Sequence, residues 1–156
     1  MFSFRSACLD DIALMAALWH AGWHEAHAEI VPASLTALRT LDSFTDRLAD
    51  LPLSRVGFVD ERLAGFHIAK DGEVYQFYVD SFARGCGFSS AMLMDVEQDL
   101  GQAGVKTAWL ACSVGNDRAA AFYTKSGWHN AGLKTIDLDT SDGAYPLEIW
   151  RFEKAI

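Results

Sequence analysis

Apolar residues near the N-terminus recur with the spacings of one short strand and two amphipathic helices. Phe2 and Phe4 alternate with polar neighbours and predict a strand. Asp10 and Asp11 can cap a following helix, which should end before Pro32 because proline disfavours helix in the residue preceding it. One face of this helix should contain Ile12, Met15, Trp19 and Trp23. A second helix is predicted over residues 34–50, with Leu35, Leu38, Leu41, Phe44 and Leu48 buried.

The spacing of apolar residues changes after Pro52, where short strand-like segments replace the helical pattern. Residues 55–59, 63–69 and 73–79 are rich in apolar and β-branched side chains, and short turn-forming segments separate them. Connections this short join neighbouring antiparallel strands. The three segments therefore predict an antiparallel meander.

The second half of the chain predicts a βαβ unit and a closing hairpin. Residues 87–102 have helical periodicity, and residues 107–112 form an almost wholly apolar run that suits a strand buried on both faces. Together with segment 73–79 they make a right-handed parallel crossover. A further helix over residues 117–126 and turn residues between 128 and 152 complete a single α/β domain, residues 1–156, with a mixed central sheet.

Charge and composition indicate which binding partners and which cellular location the protein is expected to have. The 156 residues carry a net charge of -8 and a sequence pI near 4.9, which argues against nucleic-acid or anionic-membrane binding. No apolar run approaches the roughly 18 residues of a membrane span, and no cationic leader precedes one. The three cysteines lack CxxC spacing. We therefore expect a cytoplasmic protein.

The loop between segment 73–79 and the next helix has the composition of a phosphate site. Residues 78–90 read YVDSFARGCGFSS, and Gly85 and Gly87 would let a ligand approach the backbone. The free amides and the dipole of a helix N-terminus favour an anion at this point. A lone Gly-x-Gly is weak evidence, because it could equally form a merely tight turn.

A second segment, directly after the next predicted strand, makes a family resemblance plain. Residues 116–128 read NDRAAAFYTKSGW and are similar to the N-x-x-A-x-x-F-Y-x-x-x-G-F/W segment of the GNAT superfamily of N-acetyltransferases. Residues 84–89 resemble the Q/R-x-x-G-x-G/A loop of the same family, with Ser89 in place of the usual Gly or Ala. Both motifs occur in the order and spacing of that family.

The resemblance implies acetyl-coenzyme A as co-substrate, bound between the two parallel strands. The amides of residues 84–89 would hold the pyrophosphate, and the backbone around Phe77 and Val79 would hold the pantetheine arm and the thioester carbonyl. Asn116 would contact the arm, and Tyr123 would lie near the sulfur. The cofactor-binding residues that the resemblance predicts are Phe77, Tyr78, Val79, Arg84, Gly85, Cys86, Gly87, Phe88, Ser89, Ser90, Asn116 and Phe122. Asn116 could at the same time cap its helix, and Cys86 is expected to be filler rather than a reactive thiol.

The implied reaction is direct attack of an uncharged amine on the thioester, which raises two proton problems. Tyr123 stands at the tyrosine of the motif and could protonate the departing thiolate. Glu73, which simple alternation places on the same side as Phe77 and Val79, could deprotonate the ammonium group, although a histidine or water could do so instead. Tyr123 could also be only a packing residue, and Glu73 only a solvated turn carboxylate.

The first helix is expected to border the acceptor. Trp19, His20, Trp23 and His24 could line an acceptor pocket, although the two tryptophans could equally be core residues. The histidines do not form a His-Glu-x-x-His zinc motif because position 28 is Ala28, so no metal is predicted.

Two other functions compete with acyl transfer. A catalytically silent acyl-coenzyme A sensor or interaction module would share the same fold. A dinucleotide-binding oxidoreductase is disfavoured, because Ser90 stands where its fingerprint needs a third glycine. The expected partner is a small-molecule or peptide amine whose identity stays open, and a homodimer is possible.

Overall fold

One seven-stranded mixed sheet organises the chain. The computed structural model describes residues 1–50 and 54–156, and Pro52, the predicted change from helices to strands, lies outside them. The strands are β1 (Phe2–Ser6), β2 (Ser54–Val59), β3 (Arg62–Lys70), β4 (Glu73–Val79), β5 (Thr107–Ser113), β6 (His129–Thr140) and β7 (Gly143–Ala155). Their order in the sheet is β1-β2-β3-β4-β5-β7-β6. The predicted meander, βαβ unit and closing hairpin are confirmed.

Helices cover both faces of this sheet. They are α1 (Ile12–His27), α2 (Ala33–Leu38), α3 (Leu41–Asp50), α4 (Phe88–Gln102) and α5 (Asp117–Lys125). In β3, the ring of Phe66 packs against Trp19 of α1, whereas the neighbouring His67 contacts Asp95 of α4. Successive side chains of a strand point to opposite faces, so α1 and α4 lie on opposite sides of the sheet.

The predicted single helix over residues 34–50 is wrong, because the chain turns at Arg39 and Thr40. Arg39 has φ -91° and ψ 63°, outside the helical region, and its side chain is 3% exposed. Its Nη1 donates to the carbonyl oxygen of Asp139 at 2.7 Å, while the hydroxyl of Thr40 accepts from the amide of Ser43 at the start of α3. Leu41, predicted to be buried, is 48% exposed beside this turn.

Strands β4 and β5 run parallel but pair at one place. Glu73 faces Trp109 across the pair, and the amide of Trp109 donates to the carbonyl of Gly72 at 3.2 Å. In contrast, β5 pairs with β7 over its full length, from Thr107 to Ser113. The sheet therefore separates between β4 and β5 beyond Glu73, towards the carboxyl ends of both strands.

A charged network ties α4 to the sheet far from this separation. Asp95 accepts from His67 Nε2 at 2.7 Å and from two nitrogens of Arg55 at 2.8 and 3.0 Å. Burial acts to raise the pKa of Asp95, but the hydrogen bonds from His67 and Arg55 outweigh it and lower the pKa to about 2. The ionised carboxylate therefore stabilises the packing of α4 on β2 and β3.

Replacing Asp95 with Asn should lower the free energy of unfolding at pH 7 by about 2 kcal/mol, measured by urea unfolding. The pKa of Asp95 is lowered from its ordinary value of 3.8, so its contribution is present above pH 3.8 and is lost as pH falls towards 2. The stability difference between the two proteins should shrink over that interval. Asp99→Asn, which removes an exposed carboxylate 3.9 Å from Arg55, is the matched control and should have little effect. An equal loss in both variants would contradict the assignment.

Candidate active site

The separation of β4 from β5 opens a cleft of about 290 Å³. We call it the donor cleft, after the acetyl donor that the sequence motifs predict. Strand-pairing groups of β4 beyond Glu73 have no partner from β5 and face this space. Strands β4 and β5, helices α1 and α5 and the loop before α4 contribute its walls, which include Gly22, Ala26, His27, Phe77, Tyr78, Val79, Arg84, Ser89, Leu110, Cys112, Asn116, Arg118, Ala119, Phe122 and Tyr123. A linear ligand could lie along β4 and take strand-like hydrogen bonds from it.

Glycine in α1 lets the helix approach β4 at the cleft. A Cβ on Gly22 would lie 2.7 Å from Cδ1 of Tyr78, closer than two non-bonded carbon atoms can come. The Tyr78 ring in turn packs on Phe66 and Trp19, with centroid distances of 5.9 and 6.4 Å. The wall of the cleft that α1 supplies is thus fixed by packing in the core.

Aromatic rings form the opposite wall. The Phe77 and Phe122 rings are stacked with centroids 6.0 Å apart, and the Tyr123 ring lies 5.4 Å from Phe122 and 6.4 Å from Phe77. Tyr123 is 9% exposed, and its hydroxyl has no hydrogen-bond partner within the described residues. Burial raises the pKa of Tyr123 above its ordinary value, so the phenol keeps its proton at neutral pH.

The glycine loop reaches the cleft at the N-terminus of α4. Gly87 precedes the helix with φ +92°, a conformation that other residues adopt only with strain. The amides of Gly85, Cys86 and Gly87 donate to no carbonyl in the described part of the chain, and the first-turn amides of α4, including those of Ser89 and Ser90, are free by helix geometry. These groups could hold an anion.

Side chains of the loop do different things. Arg84 and Ser89 line the cleft, whereas Phe88 is buried against the rings of Phe2 and Phe4 and serves the core. The exposed thiol of Cys86 donates to the carbonyl of Ala83 at 3.2 Å. The loop thus offers mainly backbone groups to a ligand.

Two arginines at the mouth of the cleft share one carboxylate. Arg84 binds Glu25 of α1 through two hydrogen bonds of 2.8 and 3.1 Å, and Arg118 of α5 contacts the same carboxylate at 3.3 Å. Hydrogen bonding to Arg84 is the main cause that lowers the pKa of Glu25. Asn116 caps α5 by accepting from the amide of Ala119 at 3.4 Å, and it lines the cleft as well.

A β-bulge in β4 changes which face Glu73 occupies. Val74 is opposite Ala69 and Gln76 is opposite Ile68, so Tyr75 is an extra residue without a partner in β3. Val74 and Phe77 consequently pack on the α4 side, whereas Tyr75 and Tyr78 pack on the α1 side. Glu73 therefore lies on the α1 side of the sheet and Phe77 on the α4 side. The expectation that simple alternation places them on the same side is wrong.

Glu73 lines a second, smaller cavity of about 190 Å³, the acceptor cavity, beneath the β6–β7 hairpin. It shares a border with the donor cleft at His27, Tyr75, Gln76, Tyr78, Ala111 and Ser113. Its other lining residues are Trp23, Arg39, Arg47, Trp109, Ile136, Asp137, Leu138, Asp139, Leu147 and Ile149. Burial is the main cause that raises the pKa of Glu73 to about 7, although Lys70 and Arg151 oppose it.

The first helix contributes less to this cavity than the sequence suggests. Trp23 lines it, whereas Trp19 is fully buried in the core between Phe44 and Phe66. His20 and His24 line neither cavity, and Nε2 of His24 lies 2.7 Å from the carbonyl oxygen of Arg39. Of the residues of α1, Trp23 and His27 therefore line this cavity.

Several polar residues that line the two cavities, and Glu25 beside the donor cleft, were not predicted from the sequence. Glu25, Arg39, Arg47, Tyr75, Arg118 and Asp139 come from six different elements or turns. Of these, Arg118 falls inside a recognisable motif segment, and the others had no local signal.

In residues 1–50 and 54–156 the structure brings together no His, Cys, Asp or Glu group suited to a metal ion. No helix in the same residues has the length and apolarity to cross a membrane.

Comparison with known proteins identifies the family. The sequence profile described as the acetyltransferase (GNAT) family matches residues 18–128, more than half of the chain. The chain belongs to the GNAT family. A search of curated proteins finds no match for this sequence.

Solved structures of GNAT proteins share the fold over nearly the whole chain. A GCN5-related N-acetyltransferase from Rhodopseudomonas palustris superposes with a TM-score of 0.77 at 19% identity, covering 99% of this chain and 95% of the other. The PaiA N-acetyltransferase from Thermoplasma acidophilum, solved with coenzyme A, gives 0.68 at 18% identity and covers 100% and 99%. The ribosomal-protein-S18-alanine N-acetyltransferase from Escherichia coli gives 0.67 at 21% and covers 100% and 94%.

Proposed function

We propose that this GNAT protein transfers an acetyl group from acetyl-coenzyme A to a primary amine by direct attack of the amine on the thioester. The observation that carries the proposal is the junction of the two cavities. The donor cleft leads from the free amides at the start of α4 to Tyr123, and it borders a cavity that contains Glu73. Donor and acceptor could therefore meet between β4 and β5.

The donor would lie with its pyrophosphate over residues 84–90 and its pantetheine arm along β4. Backbone amides and the α4 dipole would stabilise the phosphates, while Phe77 and Phe122 would contact the arm. Arg84 and Arg118 would add positive charge at the mouth of the cleft, to the extent that Glu25 does not already neutralise it. The unpaired edge of β4 explains how a flexible arm could be held without a dedicated side chain.

Glu73 would act as the general base. An alkyl ammonium group has a pKa of about 10 and must lose a proton before it can attack. A carboxylate with a pKa raised to about 7 is a stronger base than an ordinary one and is still substantially ionised at neutral pH. Glu73 borders the acceptor cavity, so it could take the proton directly or through a water molecule.

Tyr123 would act as the general acid. Its ring lies in the wall of the donor cleft, and the phenol is protonated at neutral pH because its pKa, ordinarily about 10, is raised further by burial. A free hydroxyl in that position could hydrogen-bond to the sulfur as negative charge develops and transfer its proton when the thiolate departs. Because burial raises its pKa, the phenol is a weaker acid than the thiol that forms, so proton transfer would have to accompany cleavage of the C–S bond.

We also propose that the protein works in the cytoplasm. The three cysteines, Cys8, Cys86 and Cys112, are free thiols, and two of them are exposed. Free exposed thiols suit a reducing compartment.

A screen of primary amines with acetyl-coenzyme A tests the proposed function, with free thiol release as the readout. We expect amine-dependent release above the slow hydrolysis seen without an acceptor, together with a mass increase of the acetylated amine. Binding of acetyl-coenzyme A in calorimetry without release for any amine would favour the sensor instead.

Glu73→Gln should lower kcat/KM and remove the inflection near pH 7 from its pH dependence, so that only the slope from deprotonation of the amine itself, with a pKa of about 10, remains. Because a general base must be ionised, the rate of the unaltered protein should fall as pH drops below about 7, the raised pKa of Glu73. Steady-state kinetics between pH 5 and 9 would measure this. Asp71→Asn, which alters the neighbouring turn and leaves Glu73 in place, should keep this inflection at a slightly lower pH, because the charge of Asp71 helps to raise the pKa of Glu73. An inflection near pH 7 that survives in Glu73→Gln would assign the base to another group.

Tyr123→Phe should slow the chemical step by about 100-fold or more and leave the affinity for acetyl-coenzyme A unchanged. The substitution removes the hydroxyl and keeps the packing of the ring on Phe77, Trp128 and Phe152. Single-turnover measurements separate chemistry from product release. Tyr145→Phe, a matched change on the β6–β7 hairpin, should have no such effect, and an unchanged rate in Tyr123→Phe would leave Tyr123 a packing residue.

A further inference from the structure

The acceptor cavity contains two arginines whose charges are not neutralised by direct ion pairs. Arg39 and Arg47 both line it. Neither makes a contact within 4.0 Å with a carboxylate among the described residues. Buried charges in proteins are normally paired, because removing them from water is costly.

Arg39 is held rigidly with part of its hydrogen-bonding capacity unused. Its side chain is 3% exposed, and Nη1 donates to the carbonyl oxygen of Asp139 at 2.7 Å. The Nε atom is buried without a partner in the described residues. The guanidinium group also lies 5.8 Å from the ring of Trp23. A carbonyl dipole satisfies one donor of this group but supplies no negative charge.

Arg47 brings a second cation to the same end of the cavity. Its guanidinium carbon lies 4.4 Å from the Trp19 ring centroid, and Nη2 donates to the hydroxyl of Tyr75 at 3.0 Å. The two arginines are close enough to affect each other: burial first, and then the charge of Arg47, lower the pKa of Arg39 to about 10. Like charges held together in this way favour a bound anion.

Asp139 compensates for only part of this charge. Its carboxylate accepts from the Tyr75 hydroxyl at 2.7 Å and acts on Arg39 from beyond ion-pair distance. Glu73 and Asp137 line the cavity as well, so the cavity as a whole has no excess of positive charge. The place for an anion is therefore confined to the two guanidinium groups, which no carboxylate of the described residues contacts within 4.0 Å. A dianionic group such as phosphate would meet more repulsion from the nearby carboxyl groups than a single carboxylate.

We propose that the acceptor is an amino acid or similar small molecule in which the reactive amine and a carboxylate belong to the same compound. This proposal rests on the proposed function. The carboxylate would bind Arg39 and Arg47, while the amine would face Glu73. Guanidinium groups suit carboxylates because their N–H donors match the two oxygens. The rings of Trp23, Tyr75 and Trp109 line the same cavity and could contact an apolar side chain of the acceptor.

Matched pairs of amines that differ in one carboxylate test this proposal on the unaltered protein. Phenylalanine is compared with phenethylamine, and lysine with cadaverine, each with acetyl-coenzyme A and the thiol readout. Loss of a charge-assisted hydrogen bond predicts a kcat/KM about 10- to 100-fold lower for the member without the carboxylate. Equal rates, or faster turnover of the decarboxylated members, would overturn the proposal and leave acyl transfer intact.

Arg47→Gln examines the same point from the protein side. Arg47 is partly exposed, so its loss should be better tolerated than that of the buried Arg39. The preference for the carboxylated member of each pair should fall towards unity, mainly through a higher KM for that member. Arg62→Gln, which removes a guanidinium group packed on Phe82 outside the acceptor cavity, should keep the preference. A preference unchanged in Arg47→Gln would contradict the assignment.

Binding of the acetylated products separates the two proposals. N-acetylphenylalanine and N-acetylphenethylamine are titrated into the protein with coenzyme A present, by calorimetry. Selective binding of the carboxylate without thiol release in the kinetic assay would support the arginine site and sink the catalytic proposal. Thiol release without selective binding would support the catalytic proposal and contradict the arginine site.

Discussion

The single bridge between β4 and β5 is the constraint on which the rest of the structure depends. A parallel pair that continued along both strands would satisfy its backbone groups and leave no space between them. Here pairing is confined to Glu73 and Trp109, and the strands diverge afterwards. The sheet tolerates the gap because β3 pairs with β4 on one side and β7 pairs with all of β5 on the other. The donor cleft is therefore a property of the sheet rather than of a loop.

The bulge at Tyr75 lets one strand serve two cavities. Without it, Glu73 and Phe77 would share a face of the sheet, as residues four apart in a regular strand do. The extra residue turns Glu73 and Tyr75 towards the α1 side and leaves Phe77 on the α4 side. The candidate base and the aromatic wall of the donor cleft thus lie on opposite faces of β4. An acceptor and a donor could then approach each other across the strand.

The parts of the fold that sequence reasoning recovered are those with local signals. Alternation, turn residues and helical spacing predict all seven strands and three of the five helices, and they merge α2 and α3 into one. The two GNAT motifs lie in continuous segments at the donor cleft. What was missed depends on distant contacts. The break at Arg39 accompanies a hydrogen bond to a carbonyl 100 positions away, and the bulge adds a residue to β4 without disturbing its apolar pattern. Neither leaves a local trace in composition or periodicity.

The same distant contacts determine the chemistry of Glu73. Burial is the main cause of its raised pKa, and the β6–β7 hairpin supplies part of that burial through the wall that includes Leu138 and Leu147. Asp139 of β6 acts in the same direction through its charge, while its carbonyl holds Arg39 in place. A hairpin more than 50 positions from Glu73 in sequence therefore contacts both the surroundings of this carboxyl group and Arg39. The raised pKa of Glu73 and the position of Arg39 thus depend on the same hairpin, and neither could be inferred from the sequence of β4 alone.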